Sequence, residues 1–162
     1  MRKVVGVLVL VLFSIGQFKG QMLNFTELNK NAIEICENGV AKEVWYYNNG
    51  NMKQTGSYLY GKKYGKWVEF YNNGAKKSIK YYDEYGKASG KWTTYYENGR
   101  KWNASMYNNG KLDGAWIYWY ENGKKWHQLT YTDGILQGKW SFWNEKGKLN
   151  EKGIYKIPSS ES

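Results

Sequence analysis

The 162-residue chain has room for one domain and not comfortably for two. Aromatic side chains make up 19% of it, and past residue 20 they outnumber Val, Ile and Leu together, which excludes an ordinary closed aliphatic core. A formal net charge of +10 favours anionic partners, or else keeps an open sheet soluble and blunts its edges. Cys36 is the only cysteine, so an intramolecular disulfide and a paired-cysteine metal site are both excluded.

The chain opens on Arg2 and Lys3, followed by an apolar run over 4–13 that is too short to cross a bilayer as a helix. Ser14 and Gly16 stand as a −3/−1 pair of small residues. The pattern predicts a secretory signal peptide over 1–20, cleaved after Gly16 or Gly20, with a short membrane anchor as the alternative. The mature chain is then exported to the periplasm, cell surface or medium, without a transmembrane span and still strongly positive.

The rest is periodic. Gly50, Gly74, Gly99, Gly123 and Gly147 are spaced 24, 25, 24 and 24 apart. Tyr58, Tyr82, Tyr107, Tyr131 and Tyr155 follow them at +8, and Trp67, Trp92, Trp116 and Trp140 precede the last four at −7. A second glycine column, Gly61, Gly86, Gly110 and Gly134, marks another turn, with one extra residue before Gly86. Asn-Gly recurs at 49–50, 73–74, 98–99, 109–110 and 122–123, with Asp133-Gly134 as its analogue, and predicts type I′ hairpin turns.

Each period therefore reads as one β-hairpin, and the fold class is all-β: a single-layer antiparallel meander of tandem hairpin repeats of about 24 residues. A half-repeat at 31–40 precedes units at about 41–64, 65–89, 90–113, 114–137 and 138–156, and 157–162 forms a disordered tail. Cys36 stands in the half-repeat's tyrosine column, as a small buried residue. The end units depart from the pattern, with Glu43 in the Trp column and Asn144 in the Tyr column of Tyr47, Tyr71, Tyr96 and Tyr120.

Little in the sequence supports catalysis. His127 is the only histidine, and its column holds Gln54, Ser78, Asn103 and Glu151, which reads as a variable solvent-facing position. Glu97, Glu121 and Glu145 recur as turn residues rather than as an acid/base pair. No catalytic residue, metal site or cofactor is expected. Binding fares better. The candidate residues are Lys42, Lys66, Lys91 and Lys139 in one column and Trp67, Trp92, Trp116 and Trp140 beside them. Such a surface suits an acidic membrane surface, a glycan or a protein partner. Export makes nucleic acid a less available partner.

Gly-Lys-Trp-x-x-Tyr-Tyr-x-Asn-Gly, as at 90–99, followed by Tyr-x-x-Gly-Lys resembles the bacterial variant of the MORN repeat, found in proteins labelled YwqK-type antitoxins. The resemblance covers 31–155. It implies a scaffold or membrane-association module without shared catalytic residues, in some cases binding acidic phospholipid. Two functions follow: an exported, non-enzymatic binding or scaffold module at the cell envelope, or an antitoxin or immunity protein that neutralises a toxin by protein–protein binding.

Overall fold

The computed structural model describes residues 31–35 and 39–156. They form thirteen strands of one antiparallel sheet: β1 (Asn31–Ile35), β2 (Val40–Tyr46), β3 (Met52–Leu59), β4 (Lys62–Phe70), β5 (Lys76–Tyr82), β6 (Gly90–Tyr95), β7 (Lys101–Asn108), β8 (Lys111–Leu112), β9 (Gly114–Trp119), β10 (Lys125–Thr132), β11 (Ile135–Leu136), β12 (Gly138–Trp143) and β13 (Leu149–Tyr155). Neighbours follow chain order, and β8 and β11 are short runs ahead of β9 and β12 that pair with β7 and β10. This is the expected single-layer meander. The leader, Cys36 and the 157–162 tail lie outside the described residues.

The two turns of each unit differ. At Asn109-Gly110 and Asp133-Gly134 both residues have positive φ, as a two-residue type I′ turn demands, and Tyr60-Gly61 does the same. The Asn-Gly pairs at 49–50, 73–74, 98–99 and 122–123 do not form type I′ turns: only the glycine is left-handed there. Each closes a three-residue loop instead, in which the Gly50 N–H donates to the Tyr47 carbonyl (3.0 Å) and the Tyr47 N–H to the Asn51 carbonyl (2.8 Å). The number of loop residues decides it, since Tyr85 and Lys146 take the asparagine's position in loops closed the same way, also without positive φ. Asn49, Asn73, Asn98 and Asn122 each accept, on Oδ1, the backbone N–H two residues on at 2.9–3.1 Å, which reinforces the loop. The extra residue before Gly86 lies in a turn, as expected. It converts the two-residue turn into a three-residue loop closed between Asp83 and Lys87.

Three residues after each first-turn glycine the pairing register slips. Lys53, Lys77, Trp102, Trp126 and Asn150 are each left without a partner on the preceding strand, a bulge repeated in all five hairpins.

One layer buries little. Trp67, 2% exposed, and Ala104 are the buried hydrophobic residues of the described chain. What holds the units is repeated contact with the next unit. The hydroxyls of Tyr47, Tyr71, Tyr96 and Tyr120 donate to the carbonyls of Phe70, Tyr95, Trp119 and Trp143, at 2.7–3.0 Å. Asn49 and Asn122 donate their amides to the carbonyls of Asn72 and Glu145 in the same way. Lys87 and Lys111 reach from one second turn to the next, to Asn109 (2.7 Å) and Asp133 (2.8 Å).

Removing one such hydroxyl isolates its contribution. Tyr96→Phe leaves the Trp119 carbonyl without that donor and should lower unfolding free energy by about 1 kcal/mol. Tyr60→Phe, at an 81% exposed turn residue, should change it by less than about 0.5 kcal/mol. Urea unfolding of the two variants checks this, and equal effects would remove the hydroxyl ladder from the account.

Candidate binding surface

The pairing register settles which residues share a face. Trp67 pairs with Lys80, Ser78 with Thr94, Trp92 with Ser105, Asn103 with Tyr118, Trp116 with Leu129, and His127 with Phe142. Directly paired residues lie on one face, as do residues two apart along a strand. Trp67, Trp92, Trp116 and Trp140 are therefore all on one face, with the tyrosines at +8. Ring centroids lie 4.9 Å apart for Tyr58 and Trp67, 4.5 Å for Trp92 and Tyr107, 5.7 Å for Trp116 and Tyr131, and 5.8 Å for Trp140 and Tyr155. Below the end tryptophans, Gly56 and Gly153 leave room that a side chain would fill: a Cβ at Gly56 would fall inside the Trp67 ring.

Lys42, Lys66, Lys91 and Lys139 are exposed, and they lie on the opposite face. The eight candidate residues therefore do not form one surface. The physical reason is alternation: Lys66, Lys91 and Lys139 each immediately precede a tryptophan. The lysines form a row of their own on the second face, about 10 Å apart where successive units carry one, and Ala115 interrupts it.

The tryptophan ladder is mainly structural in its first half. Trp67 Nε1 donates to the Ser57 carbonyl (3.0 Å) and Trp92 Nε1 to that of Tyr81 (2.9 Å). Around them the face is polar. Glu69 accepts from the buried Ser78 hydroxyl (2.7 Å) and pairs with Lys80 (3.5 Å). Burial raises the Glu69 pKa, but the Ser78 hydrogen bond and the Lys80 charge outweigh it, and the carboxyl ends below its ordinary value. The Lys63 ammonium sits 4.3 Å from the Trp67 ring centre and 5.6 Å from that of Tyr82. In the first unit Glu43 is buried in the tryptophan column; burial and this carboxylate push the Tyr58 phenol up to about 12.

From β7 to β12 the same face changes character. Tyr118 and Phe142 stand where earlier units have Glu69 and Thr94, and Trp102 and Trp126 fill the bulge position that Lys53 and Lys77 hold earlier. Trp102 lies 6.1 Å and Trp126 6.2 Å from Tyr118, both at 77° to it. His127 is packed among rings: 4.3 Å from Tyr118, 4.6 Å from Trp126 and 5.4 Å from Phe142. It is thus not the solvent-facing position that its column suggests. Its Nδ1 is buried without a hydrogen-bond partner, as is Trp116 Nε1. Trp102, Tyr118 and Trp126 are not among the residues singled out from the sequence. Their departure from the columns they occupy was the available signal.

The MORN repeat variant family matches residues 40–60, 88–109, 112–133 and 136–156, more than half of the chain. The chain belongs to that family, whose repeats are generally binding or scaffold modules and typically non-catalytic. No curated protein matches the chain. Residues 61–87, which hold most of the unit at 65–89 and its lengthened turn, fall between the matched segments. Among the described residues no group of three or more His, Cys, Asp or Glu is placed to hold a metal ion.

Burial lowers the His127 pKa below its ordinary 6.5. The unfolded chain therefore binds the proton first as pH falls, so the stabilisation present above pH 6.5 is lost on acidification through that value toward the folded pKa. His127→Gln, which places the residue found at Gln54, should flatten the fall in melting temperature between about pH 7 and pH 5. Parallel curves for the two proteins would contradict this.

Proposed function

We propose that the chain is exported and acts as a non-enzymatic binding module at the cell envelope, engaging an acidic surface through the face that carries Lys42, Lys66, Lys91 and Lys139. The observation that carries this reading is the row of exposed ammonium groups on one side of an open sheet. Lys80, Lys87 and Lys111 already have partners in Glu69, Asn109 and Asp133, and Lys101 and Lys125 rest on the rings of Trp119 and Trp143. The row has none of these contacts. Tyr81 and Met106, which pair with Lys66 and Lys91 and are 38% and 41% exposed, add apolar area at the same depth. Export is supported by the basic, apolar and small-residue order of 2–16.

Anionic phosphate or carboxylate groups at a surface suit this row, each lysine contributing about 1 kcal/mol near an acidic bilayer. Screening over about 10 Å at 0.1 M salt makes the attraction salt-sensitive. Mature protein, with Gln17 or Gln21 as its first residue, should co-sediment with vesicles containing acidic phospholipid and not with neutral ones, and release as salt rises. The Lys66→Glu, Lys91→Glu, Lys139→Glu variant should lose most of that binding. Equal sedimentation with both vesicle types, or no loss in the triple variant, would assign the lysines to solvation alone.

A further inference from the structure

The ring cluster on the other face is not required by the repeat. The same bulge is built with Lys53 and Lys77 in the first two hairpins, where each ammonium lies 5.8 Å from the ring centre of Tyr47 or Tyr71. In the next two hairpins the position is tryptophan; Trp126 lies 5.7 Å from Tyr120 in the lysines' place, yet the two indoles remain 44% and 41% exposed. A large aromatic side chain left nearly half in water, at a position that two other hairpins fill with lysine, calls for another use.

The geometry is that of an open slot. Trp102 and Trp126 stand one repeat apart, two strands or about 10 Å. Tyr118 lies between them, and each indole meets it edge-on at 77°. The bulges make this possible: Trp102 and Asn103 are consecutive yet both lie on Tyr118's side, and the same holds for Trp126 and His127. From β7 to β12 this face presents Trp102, Asn103, Ser105, Tyr107, Trp116, Tyr118, Leu129 and further uncharged residues, and no Lys, Arg, Asp or Glu. In a chain of net charge +10 this uncharged strip stands apart from the lysine row behind it.

We infer that the slot between Trp102 and Trp126, floored by Tyr118, binds a neutral polysaccharide. Charge matching excludes a phosphate or uronate as the group recognised here, because nothing in the strip neutralises one. A pyranose is uncharged and two-sided: its C–H faces lie on aromatic rings while its hydroxyls project from the edge. Spacing agrees, since the one-repeat separation of the indoles is comparable to a disaccharide in an extended chain. The Asn103 amide and the His127 ring adjoin Tyr118. They supply the few polar groups that orient a ligand in an apolar site. A small rotation of His127 would present its unpaired Nδ1 to a sugar hydroxyl. The inference rests on the reading of the chain as a binding module and uses the face opposite the lysine row, so one chain could bridge a glycan and an acidic surface.

The test is electrophoresis of the full mature protein in native gels containing a soluble β-glucan, a mannan or a galactan. Retardation in at least one is expected. Trp102→Lys with Trp126→Lys copies the first two hairpins and should retain the wild-type circular dichroism. It should weaken the interaction about tenfold or more. The Lys66→Glu, Lys91→Glu, Lys139→Glu variant should be retarded like wild type. Retardation by none of the three polysaccharides, or equal retardation of the double tryptophan variant, overturns the inference. So does binding confined to an acidic polysaccharide and abolished by salt. A wild-type dimer that the double substitution converts to monomer, without glycan binding, would make a second copy the occupant. Vesicle binding that persists while glycan binding fails would retain the proposed function and remove this inference alone.

Discussion

A sheet one layer thick has no second layer against which to bury its faces, so each unit must be held by the next. Here the hold is a tyrosine hydroxyl that crosses from the first turn of one unit to a backbone carbonyl at the end of the next unit's strand, four times over. Asparagine amides and second-turn lysines repeat the step nearby. Each hydrogen bond is worth only about 1 kcal/mol net, but each also fixes where the neighbouring hairpin lies. Stability then accumulates along the row from intrinsic and nearest-neighbour contributions. The Tyr58–Trp67 and Tyr82–Trp92 ring pairs add apolar contact between units, while Trp92–Tyr107, Trp116–Tyr131 and Trp140–Tyr155 join the two strands of one unit.

Such a row needs ends. Asn144 replaces the tyrosine in the last unit, so the hydroxyl ladder stops with the bond from Tyr120 to the Trp143 carbonyl. Lys152 on β13, with Lys148 and Lys156 flanking the strand, places charge on an otherwise open edge and discourages continuation by another chain. At the other end Glu43 takes the tryptophan position beneath Tyr58, and a buried carboxylate cannot extend the ring ladder.

Much of this was legible in the sequence, because a repeat multiplies every signal. The glycine columns located both turns of each hairpin, and the residue inserted before Gly86 was correctly confined to a turn. The turn type was not legible from Asn-Gly alone: the same dipeptide lies in a three-residue loop at 98–99 and in a two-residue turn at 109–110, and only in the second is the asparagine left-handed. The shared face of the tryptophans followed from period and alternation. The eight candidate binding residues were spread over two faces for the same reason. The slot escaped notice because it depends on the bulges. Strict alternation would send Trp102 and Asn103 to opposite faces, and only a residue without a cross-strand partner allows both to adjoin Tyr118.

The two faces consequently differ in origin. The lysine row is part of the repeat, while the aromatic slot is a local departure from it laid over units that would fold without it. Both depend on the unit-to-unit ladder keeping the rows in register, and hydrogen exchange followed by mass spectrometry tests that dependence most directly. The account predicts slowest exchange in the central strands and faster exchange at both ends. Tyr71→Phe should speed exchange in β4, β5 and β6 and leave β12 and β13 unchanged. One common rate for all strands, or an effect of Tyr71→Phe spread equally to β13, would contradict it.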